Sequence, residues 1–156
     1  MLIPFGPEHF AFIISWVDSP ELMFQYSGPD YPYPRTEERL AEYTETVHDR
    51  DRFMYRHDGQ VIGYGEVLYN GEFQPRLGRL LIGPKALRKK GHGTRMIREL
   101  IDYCKRHDPG QRVYLYVFTD NKNAIRSYTT VGFVKSRPEP KHLLELQKSA
   151  RLMHFD

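Results

Sequence analysis

Residues 88–97 read RKKGHGTRMI, and this stretch decides how the rest of the chain is interpreted. Three basic residues lead into Gly91 and Gly93, and a pattern typical of an amphipathic helix follows. The apolar face of that helix would hold Met96, Ile97, Leu100, Ile101 and Cys104. Because the first N–H groups of a helix have no partner within it, glycines and cations at such a start indicate a phosphate site. A glycine-containing turn without a ligand is the alternative interpretation.

The spacing of this loop excludes two common phosphate-binding motifs. A Walker loop, G-x-x-x-x-G-K-[ST], has its lysine after the second glycine, whereas Lys90 precedes Gly91. A dinucleotide fingerprint, G-x-G-x-x-G, requires a glycine at position 96, which is a methionine. What remains is R-x-x-G-x-G from Arg88 to Gly93, after a strand and at the start of a helix.

Charge is distributed unevenly along the chain. Residues 76–106 hold 10 bases and 2 acids, whereas residues 1–75 hold 13 acids and 5 bases. A block this basic favours a polyanionic partner, either a phosphorylated cofactor or a nucleic acid, and its alternative is a solvated basic face. The basic and aromatic residues match no recognised nucleic-acid motif, so we expect no nucleic-acid partner.

Length and composition predict one globular domain over residues 1–156. A chain of 156 residues can form its own core, and its 40% hydrophobic and 28% charged residues are typical of a soluble protein. The chain contains no apolar run long enough to span a membrane, and its first residues lack a signal-peptide pattern, so we expect no membrane partner. A single cysteine, Cys104, excludes an internal disulfide and indicates a cytoplasmic location.

The order of predicted elements defines a mixed α/β (α+β) fold. Helices are expected after Gly6 and Ser19 and after the cap residue Thr36. Hairpin signals at Asp58-Gly59 and Asn70-Gly71 then indicate a meander of three strands. The complete order is β-α-α-β-β-β-α-β-α-β-β, in which residues 141–147 are ambiguous between helix and strand.

A second informative stretch, DNKNAIRSYTTVGF at 120–133, follows the continuous apolar strand VYLYVF at 113–118. It gives the pattern N-x-x-A-I-x-x-Y-x-x-x-G-F. In this order and spacing, R-x-x-G-x-G and the second pattern together resemble the GNAT superfamily of acyl-CoA-dependent N-acyltransferases. The N-terminal segments look like the branch that contains ribosomal-protein and aminoglycoside N-acetyltransferases.

The resemblance implies acetyl-CoA as cosubstrate and a mixed, mostly antiparallel central sheet whose strands at 76–83 and 113–118 splay apart. The backbone of Leu81 and Ile82 would hold the pantetheine arm like an added strand. Asn121 would hydrogen-bond the cofactor near its reactive end or arm, and Tyr128 would lie close to the thioester sulfur. The pyrophosphate would be cradled by Arg88, Lys89, Lys90, Gly91, His92, Gly93 and Thr94.

Transfer of an acetyl group to an amine requires that the amine lose a proton and favours a proton donor for the leaving thiolate. A phenol is protonated at neutral pH and can donate, so Tyr128 is the predicted general acid, with a core aromatic as the alternative. Glu66 is the predicted base, because on its strand face Ile62, Tyr64 and Leu68 would give it apolar neighbours that raise a carboxyl pKa. A solvent-facing or salt-bridged glutamate is the alternative.

The predicted acceptor is a primary amine of a small molecule or a peptide N-terminus. The acidic first half of the chain favours a cationic acceptor, because opposite charges steer encounter. Tyr26, Tyr31 and Tyr33 are candidates for aromatic contacts with it. The histidines show no metal-ligand spacing, so we expect no metal. A non-catalytic acyl-CoA-binding module is the competing function.

Overall fold

The computed structural model describes residues 1–28, 31–137 and 149–156. Within them, five helices and seven strands form one α/β unit. The helices are α1 (Phe10–Trp16), α2 (Pro20–Ser27), α3 (Glu37–Thr46), α4 (His92–His107) and α5 (Lys122–Val131). The strands are β1 (Leu2–Pro4), β2 (Arg50–His57), β3 (Gln60–Leu68), β4 (Arg76–Ile82), β5 (Val113–Phe118), β6 (Val134–Lys135) and β7 (Ala150–Phe155). The ambiguous segment 141–147 lies outside the described residues.

The strands form a single sheet in the order β1-β2-β3-β4-β5-β7-β6. Every neighbouring pair is antiparallel except β4 and β5, which run parallel. These two strands pair only at Arg76–Tyr114 and Leu77–Leu115, although β4 continues to Ile82 and β5 to Phe118. The sheet is therefore mixed and mostly antiparallel, and its two central strands splay apart as expected.

Polar caps set the starts of the N-terminal helices. Ser19 Oγ accepts a hydrogen bond from the N–H of Leu22 at 3.1 Å, and Thr36 Oγ1 accepts one from Arg39 at 3.2 Å. Each of the three predicted starts, after Gly6, Ser19 and Thr36, begins a helical region, so three helices precede β2 where the predicted order of elements has two. The chain leaves α1 at residue 17 and restarts at Pro20. No helix of the described residues is long and apolar enough to cross a membrane.

Helices cover both faces of the sheet. On one face, α4 approaches β3 closely over two glycines: a Cβ on Gly63 would lie 3.0 Å from Met96 Sδ, and one on Gly65 would lie 3.0 Å from Leu100 Cδ1. On the other face, α1, α2 and α3 pack against a second cluster that includes Tyr64. Since side chains alternate along a strand, the middle of β3 presents Gly63 and Gly65 to α4 and Tyr64 to the N-terminal helices.

Candidate active site

The separation of β4 from β5 opens a cavity of about 580 Å³, a size typical of small-molecule sites. Leu81 and Ile82 line it from β4, and residues 116–118 line it from β5. Asn121 and Tyr128 face it from the region of α5, and Tyr26 and Tyr31 close its far side. The cavity thus lies where the sheet is interrupted.

The end of β4 is braced by the side chain of Arg88. Its Nε donates to the carbonyl oxygen of Ile82 at 2.8 Å, and its Nη2 donates to that of Gly83 at 2.7 Å. On the other edge of β4, Leu81 and Ile82 pair with Tyr64 and Gly63 of β3. The guanidinium of Arg88 therefore orients the strand end, a use that the expected contact with phosphate did not anticipate.

The loop between Arg88 and α4 has the conformation that an anion site requires. Lys89 and Gly91 adopt left-handed φ angles of 60° and 84°, which bring the chain round to start α4 at His92. No side chain caps this helix, and its first turn contains no acidic residue. Lys89 and Lys90 are exposed beside it. Residues 89–94 lie beyond the lining of the cavity, past Arg88.

His92 lies at the edge of this loop against the β2–β3 hairpin. Its ring contacts the ring of His57 with the centroids 4.8 Å apart. Desolvation lowers the pKa of His92, and the nearby charges of His57, Arg95 and Lys90 lower it further. The imidazole is therefore predominantly neutral at pH 7, so His92 would contribute to an anion site as a neutral group.

Asn121 and Tyr128 reach the cavity from the two ends of one helical segment. Asn121 caps α5, because its Oδ1 accepts a hydrogen bond from the N–H of Ala124 at 3.3 Å. Tyr128 lies two turns further along, with its ring centre 6.0 Å from that of Phe133. Burial raises the pKa of Tyr128 to about 12, so its phenol keeps its proton at neutral pH.

The expectation that apolar side chains surround the carboxyl group of Glu66 is wrong. Its side chain is completely buried, and Tyr43 and Tyr64 donate hydrogen bonds to its Oε1 at 2.7 and 2.6 Å. Arg50 and Arg79 pair with its Oε2 at 3.2 and 3.1 Å. The alternative of a salt-bridged glutamate is the observed one. Strand alternation predicts which face Glu66 is on but not which side chains α3, β2 and β4 bring to it.

Arginines dominate the charge of the cavity, and of these only Arg88 was predicted from the sequence as a site residue. Its charged lining residues are Arg50, Arg76, Arg79 and Arg88. Among the described residues that line it, there is no acidic side chain. The prediction of a cationic acceptor rested on the acidic first half of the chain, and this negative charge does not extend to the cavity wall.

Backbone irregularity explains why Arg76 and Arg79 were missed. Residues three apart on a regular strand face opposite sides of the sheet. Here Tyr64 pairs with Leu81 but Glu66 pairs with Gly78, so β4 gains one residue over β3, and Arg79 sits in that bulge with a φ of 50°. The bulge brings both arginines to the same cavity.

Two of the three tyrosines proposed for acceptor contacts reach the cavity. Tyr26 and Tyr31 line it. Tyr33 is instead 38% exposed and outside the lining, with its hydroxyl donating to the carbonyl of Asp18 at 3.0 Å. The segment that contains them therefore contributes only its first part to the wall.

Residues 15–133 match the acetyltransferase (GNAT) family, and the chain belongs to this family. The N-alpha-acetyltransferase RimI of Mycobacterium tuberculosis is 35% identical to it over 81 residues, which cover 50% of this chain and 48% of RimI. The chain thus aligns with about half the length of this curated relative.

Solved structures extend the likeness over nearly the whole chain. A spermidine N-acetyltransferase from Vibrio cholerae in complex with CoA and spermine superposes with a TM-score of 0.78 at 19% identity, covering 99% of this chain and 94% of that one. An aminoglycoside acetyltransferase in complex with coenzyme A gives 0.75 at 17% identity, covering 99% and 93%. At these identities the likeness concerns the fold. The predicted fold and the predicted family are confirmed.

Proposed function

We propose that this chain transfers an acetyl group from acetyl-CoA to a primary amine. The observation that carries the proposal is the parting of β4 from β5 beside Tyr128, which leaves a strand edge and a proton donor on one cavity. A relative and a structural neighbour that are named as N-acetyltransferases, and a second neighbour that is named as an acetyltransferase, support the same reaction class.

Acetyl-CoA would bind along the opened edge of β4. The backbone of Leu81 and Ile82 would hydrogen-bond the pantetheine arm, because β5 does not pair with β4 there. The pyrophosphate would lie at the uncapped start of α4, where the N–H groups of residues 92–94 and the charges of Lys89 and Lys90 favour an anion. Asn121 would contact the arm from the opposite wall.

In the reaction, the neutral amine forms a bond to the thioester carbon and the carbon–sulfur bond breaks. Tyr128 donates its proton to the departing thiolate, the amine releases one proton to solvent, and the Tyr128 phenolate takes one proton back from solvent. The phenol is protonated at neutral pH, as a proton donor to the thiolate must be. Glu66 is assigned no proton transfer: protonating it would forfeit its ion pairs with Arg50 and Arg79. It holds Arg79 in place.

Replacement of Tyr128 by phenylalanine tests the proposal. Because a positioned general acid contributes about 10²–10⁴-fold, we expect Tyr128→Phe to lower kcat at least about 100-fold. The KM for acetyl-CoA should change by less than about twofold, since the ring is retained. Release of the coenzyme A thiol with a panel of primary amines is the measurement.

Tyr33→Phe is the matched control, because Tyr33 is exposed and outside the cavity. An unchanged kcat in Tyr128→Phe would rule out the proton donor while leaving the transferase activity intact. If the wild-type chain binds acetyl-CoA but releases no thiol with any amine, the proposed function is wrong and the chain is a binding module.

A further inference from the structure

The inner end of the cavity carries more buried positive charge than the acidic side chains of the described residues neutralise. Arg35, Arg50 and Arg79 surround Tyr31 and Tyr43 as three cations in one buried cluster. Glu66 is the buried carboxylate paired with two of them, and the half-exposed Asp49 also contacts Arg50 at 2.8 Å. Because a buried charge is costly unless it is paired, this surplus favours a negative group from outside the chain.

Arg79 has donors left for such a group. Its side chain is only 10% exposed and lines the cavity, and its Nη1 donates to Glu66. Its Nε is buried and has no hydrogen-bond partner within the described residues. A guanidinium presents its donors in a planar fork that fits a carboxylate, so the orphaned side of this fork suits one oxygen anion.

Arg35, in the same cluster as Arg79, is a second buried arginine with donors unpaired within the described part of the chain. It is 3% exposed, and both its Nε and Nη2 lack hydrogen-bond partners among the described residues. Its guanidinium lies over the rings of Tyr31 and Tyr43, 4.8 and 5.2 Å from their centres. These ring contacts offset part of its charge but supply no anion.

Arg76 adds a third source of positive potential on the cavity wall. Its described hydrogen bonds go to neutral oxygens: the carbonyls of Asn70 and Phe73 at 3.1 and 3.3 Å, and the side chain of Asn70 at 2.7 Å. Its guanidinium lies 5.0 Å from the centre of the Tyr116 ring. The turn before β4 therefore fixes this cation at the cavity without neutralising it.

These arginines are poorly placed for the phosphates of the cosubstrate. The phosphate loop follows the far end of β4, beyond Ile82, whereas Arg76 begins the strand. At about 3.3 Å per residue, the six steps from Arg76 to Ile82 span roughly 20 Å, and the three steps from Arg79 to Ile82 span roughly 10 Å. An anion bound at Arg76 and Arg79 would thus belong to the acceptor.

Building on the proposed function, we propose that the acceptor is a primary amine that also carries a carboxylate. The carboxylate binds to the Nε side of Arg79, within the potential of Arg76 and Arg35, and the amine points along the cavity towards Tyr128. Free amino acids and peptides with an acidic residue next to the N-terminus both present this chemistry. A second positive charge on the acceptor is disfavoured at the same place.

Matched acceptor pairs test the proposal. One arm compares free amino acids with their amides, and the other compares peptides carrying Asp or Glu at the second position with the Asn or Gln versions. In one of the two arms, we expect kcat/KM to be at least about tenfold higher for the acceptor with the carboxylate than for its amide. The arm that shows this difference identifies the acceptor as a free amino acid or as a peptide. The readout is release of coenzyme A thiol.

Arg79→Gln should abolish this preference by raising the KM of the carboxylate acceptor about tenfold or more. Its KM for acetyl-CoA and for the amide acceptor should stay within about twofold. Arg79→Lys, which keeps the charge opposite Glu66, serves as a second variant if the first fails to fold, and it should lose part of the preference. Arg98→Gln, an exposed arginine on α4, is the matched control.

The outcomes separate the two proposals. Transfer that is equal for both members of every pair, or faster for the amide, overturns the carboxylate acceptor and leaves the transferase intact. A preference that survives in Arg79→Gln and in Arg79→Lys overturns the role of Arg79. If none of the amines tested supports thiol release, the proposed function is overturned, and the proposed acceptor class with it.

Discussion

Glu66 is held by more donors than any catalytic base would need. Two hydroxyls and two guanidinium groups approach its two oxygens within 3.2 Å, and none of its surface is exposed. A carboxylate bound in this way is a structural counter-charge for the arginines around it. We expect any contribution of Glu66 to catalysis to be indirect, through the position that its ion pair gives to Arg79.

Replacing Glu66 by glutamine should therefore act on stability first. The change leaves Arg50 and Arg79 buried without their common anion, and breaking a buried pair in this way typically costs about 3–5 kcal/mol. We expect the free energy of unfolding in urea at pH 7 to fall by that amount. Glu72→Gln, at an exposed position, should change it by less than about 0.5 kcal/mol.

A variant that keeps its stability but loses its activity would indicate that Glu66 acts as a base. If Glu66→Gln keeps its unfolding free energy within about 1 kcal/mol but loses about 100-fold or more in kcat, the carboxylate takes part in proton transfer. Comparing the two quantities on one variant thus separates a counter-charge from a catalytic group.

Individual site residues differed in how well their environment could be predicted. The site roles expected of Tyr128 and Asn121 came from the family resemblance, and both residues line the cavity, Asn121 as the cap of α5 and Tyr128 two turns later. The surroundings of Glu66 depend on Arg50, 16 residues earlier, and on Arg79, 13 residues later. Contacts over such separations leave no periodic signal, so the arginine cluster was not predicted.

Strand β4 serves both halves of the proposed site. Its last residues offer the opened edge for the cosubstrate, and its bulge directs Arg79 to the acceptor end. The parting from β5 follows from the resemblance, but the bulge was not predicted, since a bulge depends on register with the neighbouring strand. The position of Arg79 therefore became clear only from the structure.

The loop before α4 depends on Gly91 for its conformation. With a φ of 84°, Gly91 is in the left-handed region, where a side chain with a Cβ costs about 1–2 kcal/mol. We expect Gly91→Ala to lower the free energy of unfolding by about that amount. It should also raise the KM for acetyl-CoA by several-fold, because the N–H groups at the start of α4 would move.

Gly91→Asn is the matched variant for this loop. No atom lies within 4 Å of a Cβ built at this position, so size alone is tolerated. Asparagine adopts the left-handed conformation more readily than alanine, so its losses in stability and in KM should be smaller. Equal effects of alanine and asparagine would show that the backbone angle is not what the loop requires.

The topology of the whole sheet combines local and distant pairings. The meander β2-β3-β4 joins strands that are neighbours in sequence, and its hairpin signals were readable. Strand β1 pairs with β2 across three helices, and β7 inserts between β5 and β6. These pairings depend on which apolar faces meet in the folded chain, so the order of strands was not predicted; the resemblance implied only a mostly antiparallel sheet in which β4 and β5 splay apart.

The complete fold should lose stability in alkaline solution because of its buried acidic protons. Burial raises the pKa of Cys104, Tyr43 and Tyr128 to about 12, and it raises those of Tyr26 and Tyr64 further. In the unfolded chain the thiol and the phenols titrate near 9 and 10. Above those values the unfolded chain releases protons that the folded chain retains, so rising pH favours unfolding.

We expect the free energy of unfolding in urea to be nearly constant from pH 7 to 8.5 and to fall steeply between pH 10 and 11. Each retained proton contributes about 1.4 kcal/mol per pH unit to the slope. Tyr26→Phe should reduce the slope by one such contribution, whereas Tyr33→Phe, at an exposed position, should leave it unchanged. A free energy of unfolding that stays level to pH 11 would mean that these side chains reach water in the folded protein. The packing of α1, α2 and α3 over the arginine cluster would then be looser than the structure shows.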